Sequence, residues 1–164
     1  RPAVVLGRYL DLYRSAIAQI APDYYLHDTV VPRTKLVEVL EAIYEIARRY
    51  DLLVLNTIHA GDGNLHPKFV YDGSVPDQVR RVKEASGEIV RLSLAAGGAL
   101  SGEHGIGLEK RDLMPLMFGA ADLDAQARLR EAFDPDRRFN PGAMLPAGSR
   151  CFELGRSVPE GTWV

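Results

Sequence analysis

Two of the chain's four histidines, His59 and His66, flank a run of six residues that includes Asp62-Gly63. Asp-Gly between apolar alternating stretches is a strong short-range hairpin signal. With Asp62 and Gly63 as the two central turn residues, His59 and His66 become cross-strand partners. Directly opposed residues hold their Cβ atoms about 4.5–5.5 Å apart, close enough for two imidazoles to share a divalent metal ion. A third ligand is offered by Glu103, in the run Gly102-Glu103-His104-Gly105, whose glycines let backbone approach a site closely. Two histidines and one glutamate with open positions form the pattern of a catalytic metal rather than a structural one. Glu103 and His104 diverge in an extended chain, so one can bind metal while the other stays free as a base. Alternation also puts Thr57 and Lys68 on the histidines' face, which makes Lys68 a candidate anion contact.

Composition limits what surrounds such a site. The chain has 164 residues, 46 % of them apolar and 26 % charged, enough to bury one compact core. The formal net charge is −2 and the basic residues are dispersed, which argues against a nucleic-acid surface. A single cysteine, Cys151, excludes an intrachain disulfide and favours a reducing compartment. The expected location is therefore cytoplasmic, with a peripheral place at the inner face of the membrane as a variant. No apolar run approaches the roughly 20 residues of a membrane-spanning helix. Neither a dinucleotide fingerprint nor a Walker A loop is present.

The elements follow from periodicity. Helical spacing predicts an N-terminal helix within residues 1–21, a second helix over about 34–50 and a third over 77–96. Residues 24–31, 52–59 and 65–71 read as strands, and Ala99-Leu100-Ser101 as a short fourth one. Strand, helix, strand, strand, helix, strand over 22–102 is the ferredoxin-like arrangement, so the expected fold class is α+β, an antiparallel sheet with helices on one face. Two further helices, 110–118 and 122–133, are expected within a C-terminal portion spanning 103–146. The remainder, 147–164, reads as an irregular tail.

Three segments together resemble a known family: HAGDGNLH at 59–66, SGEHGIGLEKRDLMP at 101–115 and FDPDRRFNPG at 133–142. They resemble the C-terminal part of the FAD-linked oxidases of the vanillyl-alcohol oxidase superfamily, the group of the glycolate oxidase flavin subunit and D-lactate dehydrogenase. The run Val30-Val31-Pro32-Arg33-Thr34-Lys35-Leu36 and the ending Met144-Leu145-Pro146 are similar to segments of the same family.

The resemblance implies that His59, His66 and Glu103 bind a divalent metal, Zn²⁺ or Mn²⁺, beside the flavin, and that His104 is the base. It implies a small 2-hydroxy acid as substrate, such as glycolate or D-lactate, whose hydroxyl proton goes to His104 and whose Cα hydrogen leaves as hydride to FAD. Arg33 is implied as a partner for the substrate carboxylate and Asn140 as the residue that returns the chain to the flavin. Two departures stand out. Related dehydrogenases place asparagine where this chain has Lys68, which suits a small or anionic acid, and Ala143 stands where a lysine is commoner.

The family carries FAD in an N-terminal domain, and the chain starts at Arg1 without an initiator methionine. The expectation is a C-terminal piece of a longer flavoenzyme, inactive alone, with the upstream FAD-binding domain and an iron–sulfur subunit as partners. Two rival readings use the same residues: a metal-dependent hydrolase with His104 or Asp62 activating water, and a non-catalytic assembly domain of a multi-subunit oxidase.

Overall fold

The computed structural model describes Ser15 and residues 17–146, and these form two compact units divided after Glu103. Most of the expected N-terminal helix, the tail 147–164 and Cys151 lie outside the described residues.

The first unit runs β1 (Asp23–Leu26), β2 (Thr29–Val30), α1 (Leu36–Arg49), β3 (Leu53–His59), β4 (Asn64–Tyr71) and α2 (Pro76–Ala95). A short 3-10 turn, Arg33–Lys35, leads into α1. All strand pairs are antiparallel: β4 takes β1 and β2 on one edge and β3 on the other, while Ala99 bridges Val30 on the far side of β2. This is the order of the ferredoxin-like sheet, and the fold class is α+β.

The expected strand 24–31 is divided into β1 and β2 at His27-Asp28. Leu26 pairs with Lys68 and Thr29 with Leu65, so one register runs through the gap and sets Asp28 opposite His66. Opposite His27 stands Pro67, which has no N–H to give. Its carbonyl still accepts the His27 N–H at 2.9 Å, so the ladder is thinned at this point but not broken.

Alternation along the strands separates two faces. One carries Tyr25, Val54, Leu65, Phe69 and Tyr71, which pack with Val39, Ile43, Ile46 and Ala47 of α1 and Val82, Ala85 and Ile89 of α2. The helices therefore cover this face. Phe69, Leu65, Ile43 and Ile89 are completely buried, and burying each such side chain stabilises the fold by about 1.5–3 kcal/mol. The stripe of α1 falls at i, i+4, i+7 and i+8, the spacing of a one-sided helix. Arg81 of α2 closes the far end of α1 by donating to the carbonyls of Tyr50 and Asp51, each at 2.8 Å. These carbonyls lie at the helix C-terminus, where a cation is favoured.

The second unit contains a 3-10 helix, Arg111–Leu116, and α3 (Ala120–Phe133). An α-helix is expected over 110–118, but Pro115 has no N–H for the i→i−4 ladder and the segment takes the tighter winding. The Asp122 carboxylate accepts the Gly119 N–H at 3.0 Å and fixes the start of α3.

Candidate metal centre and flavoprotein motifs

The hairpin that carries His59 and His66 differs from the two-residue turn read in the sequence. His59 pairs with Asn64, and Thr57 pairs with His66. The loop is four residues, 60–63, because the His59 carbonyl accepts both the Asp62 N–H at 3.2 Å and the Gly63 N–H at 3.0 Å. Gly63 closes it at φ +82°, a left-handed value that glycine adopts without strain. Asp62 shapes the loop by accepting the Asn64 N–H at 3.4 Å. The histidines are thus diagonal neighbours and not direct partners. A shift of two residues preserves the alternation, so both imidazoles still share the face opposite the helices, with ring centroids 5.2 Å apart and planes at 89°.

Glu103 reaches the same face. Its Oε1 lies 2.8 Å from His66 Nε2 and 3.4 Å from His59 Nε2, and one donor atom from each of the three residues falls within 4.8 Å of the others. Ligand atoms about 2.0–2.2 Å from a central ion stand roughly 3–3.5 Å apart, so this donor set fits a divalent metal such as zinc. One wall is buried and the other open: the side chain of His66 is 7 % exposed, those of His59 and Glu103 more than half.

The remaining residues singled out in the sequence lie in separate segments. Lys68 stands on the same strand and face as His66, and its Nζ donates to Thr57 Oγ1 at 2.7 Å. Arg33 sits just after β2, exposed, with one guanidinium nitrogen 3.5 Å from the Gly61 carbonyl in the hairpin loop. His104 is exposed and follows Glu103 directly, so one peptide separates a candidate base from a candidate ligand.

Asn140 belongs to the second unit, in a segment organised by side chains bonding to nearby backbone. Asp134 accepts the N–H groups of Arg138 at 2.8 Å and Phe139 at 3.0 Å. The Phe139 bond chiefly, with that from Arg138, holds the Asp134 carboxyl below its ordinary range, against the opposing effect of desolvation. Arg130 donates to the carbonyls of Asn140 at 2.8 Å and Ala143 at 2.9 Å, and Arg111 to that of Gly142 at 3.0 Å. Asn140 adopts φ +43°, a region in which asparagine is enriched, and its carbonyl accepts the Ala143 N–H at 3.1 Å.

A family model described as "FAD linked oxidases, C-terminal domain" matches residues 5–144. The chain belongs to this family. Among the relatives of this FAD-linked oxidase domain, the glycolate oxidase subunit GlcD of Escherichia coli (strain K12) is 43 % identical over 140 residues, covering 85 % of the chain and 28 % of that protein. GlcD of Bacillus subtilis (strain 168) is 38 % identical over 136 residues, 83 % of the chain and 29 % of that protein. A probable mitochondrial D-lactate dehydrogenase of Danio rerio is 33 % identical over 126 residues, 74 % and 24 %. The chain spans less than a third of the length of these curated relatives. Among its described residues, no helix is long and apolar enough to cross a membrane.

One residue of this oxidase domain went unread in the sequence. Asp28 is 1 % exposed, and its Oδ2 accepts the Ser101 hydroxyl and the N–H groups of Gly102 at 2.9 Å and Glu103 at 3.1 Å. Its Oδ1 stands 3.8 Å from His66 Nδ1. The available signal was a His-Asp pair inside an otherwise apolar and aromatic strand, since buried carboxylates are rare unless they are paired.

Proposed function

We propose that this chain is the substrate- and metal-binding part of a FAD-dependent 2-hydroxy acid oxidoreductase of the glycolate or D-lactate type. The observation that carries the reading is the convergence of His59, His66 and Glu103 on one open-sided point of the sheet. Membership of the FAD-linked oxidases supplies the redox class. FAD is held by a domain outside these 164 residues.

A divalent metal (Zn²⁺ or Mn²⁺) held by His59, His66 and Glu103 would supply Lewis-acid chemistry at the substrate hydroxyl, and FAD would supply the hydride acceptor. The chain's own residues do the rest. His104 takes the hydroxyl proton at a ring nitrogen, one residue beyond the ligand Glu103. Arg33 holds the substrate carboxylate with its planar fork of donors. Lys68, held in place by Thr57, contributes a second positive charge and selects a compact, anionic acid. Asn140 presents the 140–143 turn to the flavin. A cytoplasmic location suits the single cysteine.

Metal analysis of the protein purified without chelator tests the donor set. One Zn²⁺ or Mn²⁺ per chain, lost in a His59→Ala, His66→Ala variant, is the expected result; a metal-free wild-type chain that takes up neither ion overturns it. The reaction is tested by anaerobic bleaching of the flavin with glycolate or D-lactate in the full-length flavoprotein. Bleaching that stops in His104→Ala is expected, and unaltered bleaching in that variant overturns the role of the base.

A further inference from the structure

We propose that Asp28 is the positioning residue of the centre: one carboxylate oxygen fixes the Glu103 backbone, and the other fixes which nitrogen of His66 faces the metal. The part concerning His66 rests on the metal reading above. The part concerning Glu103 does not.

The two oxygens point at different things. Oδ2 gathers the Ser101 hydroxyl and two successive backbone N–H groups, Gly102 at 2.9 Å and Glu103 at 3.1 Å. Those partners lie 73 to 75 residues further along the chain, so no local rule brings them together. A buried carboxylate that accepts backbone N–H bonds is strongly held, and it holds the donors in return. The same segment also approaches Asn64 closely: a Cβ on Gly102 would overlap the Asn64 amide. Ser101, Gly102 and Glu103 are therefore held by Asp28, with Gly102 also close against Asn64, and the Glu103 side chain starts from a fixed point.

Oδ1 faces His66. Continuous register through β1 and β2 sets Asp28 directly across from His66, and the Nδ1–Oδ1 distance is 3.8 Å. A carboxylate on the Nδ1 side favours the tautomer with its proton on Nδ1, which leaves the Nε2 lone pair for a metal on the side where Glu103 stands, 2.8 Å away. A carboxylate behind a ligating histidine is the usual way in which ring orientation and ligand basicity are set, and losing one typically costs 10–100-fold in metal affinity. Asp28 performs this task and also anchors a second ligand of the same centre, so one buried group preorganises two of the three donors.

Asp28→Asn separates the two tasks. Its amide oxygen can still accept the Gly102 and Glu103 N–H groups, while the charge facing His66 is gone. Asp28→Ala removes both. Zn²⁺ affinity by chelator competition, the visible spectrum of the Co²⁺-substituted chain, and amide hydrogen exchange at Gly102 and Glu103 in metal-free protein are the readouts. Asp28→Asn should keep the two amides protected, weaken Zn²⁺ about 10–100-fold and change the Co²⁺ spectrum. Asp28→Ala should also expose the amides; should it not fold, Ser101→Ala, which removes only the hydroxyl, should raise exchange at the same two amides by a smaller factor. Wild-type Zn²⁺ affinity and Co²⁺ spectrum in Asp28→Asn would overturn the His66 role. Unchanged exchange at Gly102 and Glu103 in both Asp28→Ala and Ser101→Ala would overturn the Glu103 role. A wild-type chain that binds neither Zn²⁺ nor Co²⁺ would overturn the metal reading and the His66 role with it, and exchange would still decide the anchoring of Glu103.

Discussion

The two faces of β4 share one backbone and have opposite chemistry. Leu65, Pro67 and Phe69 point to the helices and are buried, Leu65 and Phe69 within the apolar core. Asn64, His66 and Lys68 point the other way, towards Asp28, Thr57, His59 and the Glu103 segment. On the first face, apart from the buried His27–Ser86 hydrogen bond at 2.9 Å, energy comes from area removed from water and neighbours are interchangeable within limits of volume. On the second, each group depends on one particular partner at hydrogen-bond distance, and a buried polar atom without a partner costs free energy. The comparison teaches that the helix face holds the fold and the other face uses it, so damage to each should be read by a different instrument.

The contrast is tested first by its largest expected effect. Replacing both His59 and His66 by alanine should abolish stoichiometric metal binding, measured by elemental analysis, while the helical circular dichroism signal is retained; retained metal would break the division between the faces. Phe69→Ala should do the reverse, lowering unfolding free energy by about 3–5 kcal/mol in urea while the folded fraction still binds metal with native affinity.

Gly102→Ala sharpens the comparison, since its added methyl would overlap the Asn64 amide. It should cost about 1–3 kcal/mol and weaken metal binding, because Glu103 is displaced with it. Gly61→Ala, where nothing lies within 4 Å of the added methyl, should change stability by no more than about 0.5 kcal/mol and leave metal affinity intact. Lys68→Ala falls between these two. Loss of its bond to Thr57 should cost about 1 kcal/mol in a urea titration, with metal affinity unchanged and substrate KM raised in the flavoprotein.

How much of this was legible depends on the reach of each contact. The stripe of α1 and the alternation of β3 and β4 are local patterns, and they were readable because burial repeats every 3.6 or 2 residues. The His59 and His66 face was readable for the same reason, even though the assumed pairing was two residues out of register. The loop length was not readable, because it depends on where the His59 carbonyl finds its donors and not on the presence of Asp-Gly alone. Pro115 gave local warning that 111–116 would not wind as an α-helix, and the apolar spacing concealed it.

From sequence alone came the α+β class, the FAD-linked oxidase family and the three residues proposed to hold a metal. Tertiary structure decided that Asp28 stands behind His66, that Asn64 closes on Gly102 and that Glu103 arrives at the histidines. The physical reason is separation: Asp28 and its partners at 101–103 are more than seventy residues apart, joined only when β2, β4 and the segment beyond Ala99 align. A periodic pattern can specify which face a residue occupies, but not which distant residue meets it there.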